Sequence, residues 1–256
     1  MEIGAQLFSL RNFIKNGKDI DSTFGKIKEM GYTCVQFSGA TFEPYELKDI
    51  IDKYNLPVYL THVDATRISE DTENVIKEHK IIGCQNIGLG AMPHAFPFMG
   101  DIEEVDEFVK KFSAAAQKIK DAGLKFFYHN HDFEFRKLKN GQTIFDYLVE
   151  NAPDFNFTLD TYWVQRGGVA LLEYIEKLSG RIECVHLKDM QTVKEGGQKF
   201  APVGVGVINW GAVLPAFIKS GTKYAFVEQD DAVDYPDPFA QLGKSADNLK
   251  KMGYIK

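Results

Sequence analysis

The titratable side chains of this sequence gather in short clusters whose make-up suits metal-assisted proton transfer. In KFFYHNHDFEF, His129 and His131 stand two residues apart, on one side of an extended segment, with Asp132 and Glu134 just beyond. FTLDTYW supplies Asp160, VHLKD supplies His186, Lys188 and Asp189, and FVEQDD supplies Glu228. Imidazole and carboxylate together form a ligand set for Mn, Fe, Co or Zn, with Mg a poorer match because it favours all-oxygen shells. His129, Asp160, His186 and Glu228 are therefore the candidate ligands of one divalent ion, and His131 and Glu134 compete for the place given to His129. An ion beside a substrate carbonyl lowers the cost of removing the neighbouring C–H proton, which makes Glu228, His131 and Lys188 the acid/base candidates. Taken singly, each of these residues is more often a loop hydrogen-bonder or a helix cap. It is their recurrence in successive units that points to a shared site.

Those units are legible as strands followed by helices. Short apolar or β-branched runs at Glu2–Phe8, Thr33–Ser38, Pro57–His62, Asn86–Gly90, Lys125–His129, Phe155–Asp160, Ile182–Lys188 and Lys223–Gln229 alternate with amphipathic stretches. In the stretch after Asp101, Phe108, Phe112, Ala115, Ala116 and Ile119 fall on one helical face, with Asp101 as cap and Gly123 as terminator. Gly31 and Gly83 punctuate other helices. Repeated βα units of this kind predict an α/β chain folded as one (β/α)8 TIM barrel spanning 1–256, in which residues at the C-terminal ends of strands converge on one mouth. The open doubly wound alternative calls for a glycine-rich dinucleotide turn after the first strand. Gly204-Val205-Gly206 follows the seventh instead and lacks the third glycine.

Composition narrows the partners. A net charge of -6 disfavours a phosphate-backbone binder, so nucleic acid is not expected. The sequence has neither a long apolar run nor an export-type start, and its three cysteines are odd in number and set in apolar strands, so no membrane contact and a cytoplasmic location are expected. The loop Pro93-His94-Ala95-Phe96-Pro97-Phe98 has the character of a lid or a subunit contact, with a plain turn as the alternative, and leaves a homo-oligomer open.

The segments GAQLFSLR, YHNHDFEF, LDTYW, HLKDM and GVGVINW resemble the xylose isomerase-like barrels, in particular the sugar phosphate isomerase/epimerase group that includes inosose dehydratase. The resemblance spans the chain. It implies one divalent metal held by a residue from each of strands five to eight, which here are His129, Asp160, His186 and Glu228, and a keto-sugar, polyol or cyclitol as substrate. Ketose epimerases of this group carry Glu at the strand-five position and His three residues after the strand-six Asp, where this chain has His129 and Trp163. The expected activity is thus a metal-dependent sugar isomerase or epimerase, with a dehydratase or 3-keto-glycoside lyase as the alternative. A related endonuclease and a non-catalytic sugar-binding barrel are less favoured, the former for want of a basic groove. His62, Gln6 and Arg166 are candidate hydrogen-bonders to substrate, and Trp163 and Phe37 candidate packing surfaces for a sugar ring. Gly204–Val207 lies where barrels can grip phosphate, with an ordinary turn as the competing reading.

Overall fold

The computed structural model describes residues 1–93, 101–194 and 196–256. Its parallel strands β1 (Glu2–Gln6), β2 (Cys34–Phe37), β3 (Val58–Val63), β4 (Asn86–Leu89), β5 (Lys125–His129), β6 (Asn156–Asp160) and β7 (Cys184–Leu187) each match a predicted segment to within a residue or two. A hairpin of β8 (Asp189–Thr192) and β9 (Gln198–Ala201), absent from the sequence expectation, follows β7, and β10 (Tyr224–Val227) then pairs with β1 to close the eight-stranded barrel. The (β/α)8 architecture is as expected. Among the described residues no helix is long and apolar enough to cross a membrane. His94 to Phe98 of the proline-rich loop lie outside the described residues.

Strand pleat sorts the side chains into two faces. Gly4, Gln6, Cys34, Gln36, Leu60, His62, Phe127, His129, Cys184, His186 and Phe226 take the alternate positions that face the barrel interior, and Val35, Phe37, Phe126, Tyr128, Val185 and Val227 face the helices. Inside the barrel, Cys34, Leu60, Phe127, Cys184 and Phe226 form a separate apolar layer. Two residues further along the same strands the layer above reads Gln36, His62, His129, His186 and Glu228. The interior therefore passes from apolar to titratable in a single pleat. Outside, Phe108, Phe112, Ala115, Ala116 and Ile119 of the helix Ile102–Asp121 are buried as their spacing predicts. Asp101 takes the N-cap position but makes no capping hydrogen bond and pairs with Lys139 instead, while Gly123 supplies the positive φ that ends the turn.

Candidate metal centre

Register explains how four side chains from distant segments meet. Asp160 is the cross-strand partner of His186, Phe226 is also level with His186, and His129 is level with Thr158. Asp160 and Glu228, each two residues beyond Thr158 and Phe226, share the inward face, so His129, Asp160, His186 and Glu228 arrive at the same mouth. All four are buried, and one ligand atom from each lies within 4.8 Å of the others. His129 Nε2 stands 3.2 Å from Asp160 Oδ2, and His186 Nδ1 stands 3.3 Å from Asp160 Oδ2 and 2.8 Å from Glu228 Oε2.

The hydrogen bonds behind this cluster set what it presents. His129 Nδ1 is 2.8 Å from the carbonyl of Gly90, an acceptor only, so Nδ1 carries the proton and Nε2 turns a lone pair toward Asp160. His186 Nε2 is 2.7 Å from Gln36 Oε1, leaving Nδ1 directed at the carboxylates. Glu228 Oε2 is buried and has no hydrogen bond of acceptable direction, although two nitrogens approach it. Lone pairs aimed at one another across a buried space are unfavourable by themselves. A cation between them relieves that, and the donor set of two imidazoles and two carboxylates, each imidazole braced on its far nitrogen, fits a divalent ion.

Lys188 sits against the same carboxylates, its Nζ 3.1 Å from Asp160 Oδ2, 2.9 Å from Glu228 Oε2 and 3.0 Å from Asp230 Oδ1. Burial alone would depress the ammonium's pKa, but Asp160, Glu228 and Asp230 outweigh it and hold Lys188 charged. Burial would likewise raise Asp160 and Glu228, and the Lys188 ammonium keeps both well below the usual carboxylate range. Burial lowers His131 and His62, which keeps both rings neutral.

A cavity of about 610 Å³ opens over this cluster, lined by His62, His129, His131, Lys188, Glu228 and Asp230, with Phe8, Leu89, Met92 and Pro93 among its apolar walls. The His62 ring lies 5.3 Å from His129 and 5.6 Å from His186, and His131 lies 4.8 Å from His129. Gly90 makes room for this: a Cβ there would stand 2.8 Å from His62 Nδ1. Trp163 packs on this group at a tilt of 48°, 5.1 Å from the His131 ring and with Lys188 Nζ 5.4 Å from its own, behind the cavity wall and not part of it.

Other expected site residues are placed elsewhere. Phe37 is an outward strand residue packed on Phe42 at 5.1 Å in the helix-facing core, because Gln36 takes the inward position of that strand. It cannot stack on a ligand in the mouth. Arg166 pairs with Asp132 at 2.8 Å and does not line the cavity, since the short helix Thr161–Arg166 carries it a full turn past Trp163. Gln6 is buried, its Oε1 accepting from the Phe8 amide at 3.1 Å and its Nε2 without a partner, and it is not part of the cavity wall. Glu134 turns away from the cluster to accept from Tyr128 Oη and the His131 amide, and burial pushes its pKa up to about 8. Lys188 pairs with Asp160 and not with Asp189. Asp230 and Gln36 went unread. The polar Gln36 in the apolar run CVQF, at an inward position, was the available signal for one, and the acidic run after Glu228 for the other.

The sequence pattern of the xylose isomerase-like TIM barrels matches residues 24–252. The chain belongs to that family. A sugar phosphate isomerase/epimerase from Parabacteroides distasonis superimposes with a TM-score of 0.83 at 19% identity, covering 100% of this chain and 96% of that one. An L-ribulose 3-epimerase gives 0.75 at 15% identity over 99% and 94% of the two chains. A probable 3-DHS dehydratase from Bacillus anthracis gives 0.73 at 13% identity over 98% and 99%. At these identities the likeness is one of fold. No curated protein sequence matches the chain.

Proposed function

We propose that this xylose isomerase-like barrel is a divalent-metal-dependent isomerase or epimerase of a keto-sugar or polyol, initiating its reaction by removing the proton on the carbon beside a carbonyl. The observation that carries the reading is the buried convergence of His129, Asp160, His186 and Glu228, with both imidazole lone pairs turned inward, at the floor of the cavity. A divalent ion held by these four supplies Lewis-acid polarisation of the carbonyl.

The protein's own groups handle the proton. Glu228, kept ionised by Lys188, is the base that receives it. Lys188, 2.9 Å from Glu228 Oε2, holds that carboxylate in place and balances the charge that develops on the substrate oxygen. Glu228 then returns the proton it has taken to the neighbouring carbon, while His131, neutral and with Nδ1 unengaged, hydrogen-bonds a substrate oxygen. His62 orients the sugar hydroxyls, and the Trp163 indole backs the His131 ring.

One observation favours a second reading, elimination of water or an alcohol from the same keto-sugar. Glu228 is the lone glutamate of the cluster, since β5 contributes His129, and a two-faced exchange through paired glutamates has no second partner. Asp230, 3.0 Å from Lys188 and with its pKa pushed up to about 7 by burial, is then the proton source for the departing oxygen. Proton NMR in D2O with Mn-loaded protein on ketoses, keto-inositols and 3-keto-glycosides separates the two. Deuterium uptake with a rearranged sugar supports isomerisation, whereas loss of water or aglycone replaces it with the lyase. A protein that takes up neither Mn nor Co and turns over substrate regardless overturns both. The three buried, unpaired cysteines fit a reducing, cytoplasmic setting.

A further inference from the structure

The charge layout of the mouth carries a statement about substrate class. Barrels that bind phosphate commonly do so through backbone N–H groups in the loops after the seventh and eighth strands. Here the donors after the seventh strand are already taken, and after the eighth the Gln229 amide is spent on Ser9 Oγ at 2.9 Å. Asp189, buried at the start of the β8 hairpin, accepts from the amides of Gly204 at 2.9 Å, Gly206 at 3.0 Å and Ile208 at 3.2 Å, and from Trp210 Nε1 at 2.8 Å. Gly206 is what lets the loop close this tightly, because a Cβ there would meet Asp189 Oδ1 at 2.3 Å. The Gly204–Val207 segment thus wraps a carboxylate of the protein itself.

The side-chain cations are equally committed. Lys188 is the one Lys or Arg among the described residues lining the cavity, and its ammonium faces Asp160, Glu228 and Asp230. The segment 94–100 contains no Lys or Arg that could supply another. Arg11 lies over the Phe8 ring at 4.4 Å and donates through Nη1 to the Phe8 and Asp230 carbonyls, and Arg166 pairs with Asp132. Asp64 adds a further carboxylate to the wall.

What remains uncommitted is hydrogen-bonding capacity: His62 Nε2 and His131 Nδ1 are buried without partners, beside the Ser38 and Thr66 hydroxyls of the wall, and Trp163 Nε1 is in the same condition next to His131. Buried polar groups of this kind are satisfied by ligand hydroxyls. From these observations, and resting on the functional reading above, we infer that the site selects an uncharged polyhydroxylated sugar and rejects phosphate esters and sugar acids.

Two measurements test this. Full-length protein stripped of metal is melted in sodium phosphate and in sodium chloride of equal ionic strength. Equal melting temperatures are expected, and a saturable rise with inorganic phosphate overturns the inference. Mn-loaded protein is then offered D-fructose, D-tagatose and D-psicose beside their 6-phosphates, with each ester expected to react or compete at least about 100-fold less well than its parent. Preference for the esters overturns charge selection and leaves the metal-dependent activity standing. Failure to take up Mn removes the functional reading, and the phosphate melt alone then decides the inference.

Discussion

Asp160 and Asp189 stand at the ends of neighbouring strand units, both buried, and their surroundings are opposite in kind. Asp189 is enclosed by fixed donors: the amides of Met190, Gly204, Gly206 and Ile208 and the Trp210 indole converge on its two oxygens. Asp160 spends Oδ1 on the Trp163 amide and turns Oδ2 toward His129, His186 and Lys188, side chains shared with Glu228. A carboxylate saturated by backbone is part of the scaffold. One that faces lone pairs and a shared cation is held ready for something that arrives from outside. The difference says more about role than burial does, for burial is the same at both.

The largest effect that sharpens this contrast is on turnover. Glu228→Gln removes the base and one ligand charge while keeping the shape, and metal-dependent turnover should fall by about 10³-fold or more, with the melting temperature of the metal-free protein held or raised because a buried charge is gone. Retained activity would break the assignment. Asp189→Ala should do the reverse, stranding several buried donors and costing about 3–5 kcal/mol in urea unfolding. A stable Asp189→Ala protein with lost turnover would erase the distinction between the two aspartates.

How far this was readable from the sequence follows from what each feature depends on. The strands, the barrel and the four converging residues depend on period-two runs and chain order, which the sequence displays directly. Phe37 was misplaced by one residue of pleat: CVQF has an apolar residue on each side of Gln36, and only the register with Gln6 and Leu60 fixes Gln36 as the inward one. Arg166 was misplaced because a helical turn begins immediately after Asp160, swinging it out to Asp132. The Asp189 hub depends on a loop returning from Gly204 to Trp210, a long-range closure that local composition does not encode.

Histidines divide as the aspartates do. His79 is buried outside the cavity lining with Nε2 2.7 Å from Thr61 Oγ1 and Nδ1 2.7 Å from the Val75 carbonyl, and burial lowers its pKa to about 4. The unfolded chain binds this proton near the ordinary value of about 6.5 and the folded chain only near 4, so between those values the unfolded state holds more protons. The stability His79 contributes is complete above that window and is lost as pH falls through it, by about 3 kcal/mol in all. Urea unfolding of wild type and His79→Gln across the window should show the wild-type advantage shrinking toward low pH, and a constant difference would contradict it.

Gln36 tests the second layer behind the ligands. Gln36→Leu removes the acceptor that fixes the His186 tautomer, and Mn affinity should weaken about 10–100-fold while Gln36→Glu, which keeps an acceptor, recovers most of it. Nitrogen-15 NMR of the His186 ring should show the tautomer mix changing in the first variant alone. Unaltered affinity and spectrum would reduce Gln36 to packing.

Arg166 should give the smallest change. Its guanidinium lies 5.4 Å from the Trp163 ring and pairs with Asp132, and its side chain is 45% exposed, so water screens the pair. Arg166→Ala should cost less than about 1 kcal/mol in stability and leave KM within about threefold, because no cavity wall is lost. Trp163→Ala, one helical turn earlier, removes the ring that covers His131 and Lys188 and should raise KM by a larger factor. The pair of variants measures where the mouth ends. Were Arg166→Ala to raise KM as much as Trp163→Ala, the substrate would have to extend beyond the cavity to Asp132, and the charge balance at the rim, not only at the floor, would govern what the site accepts.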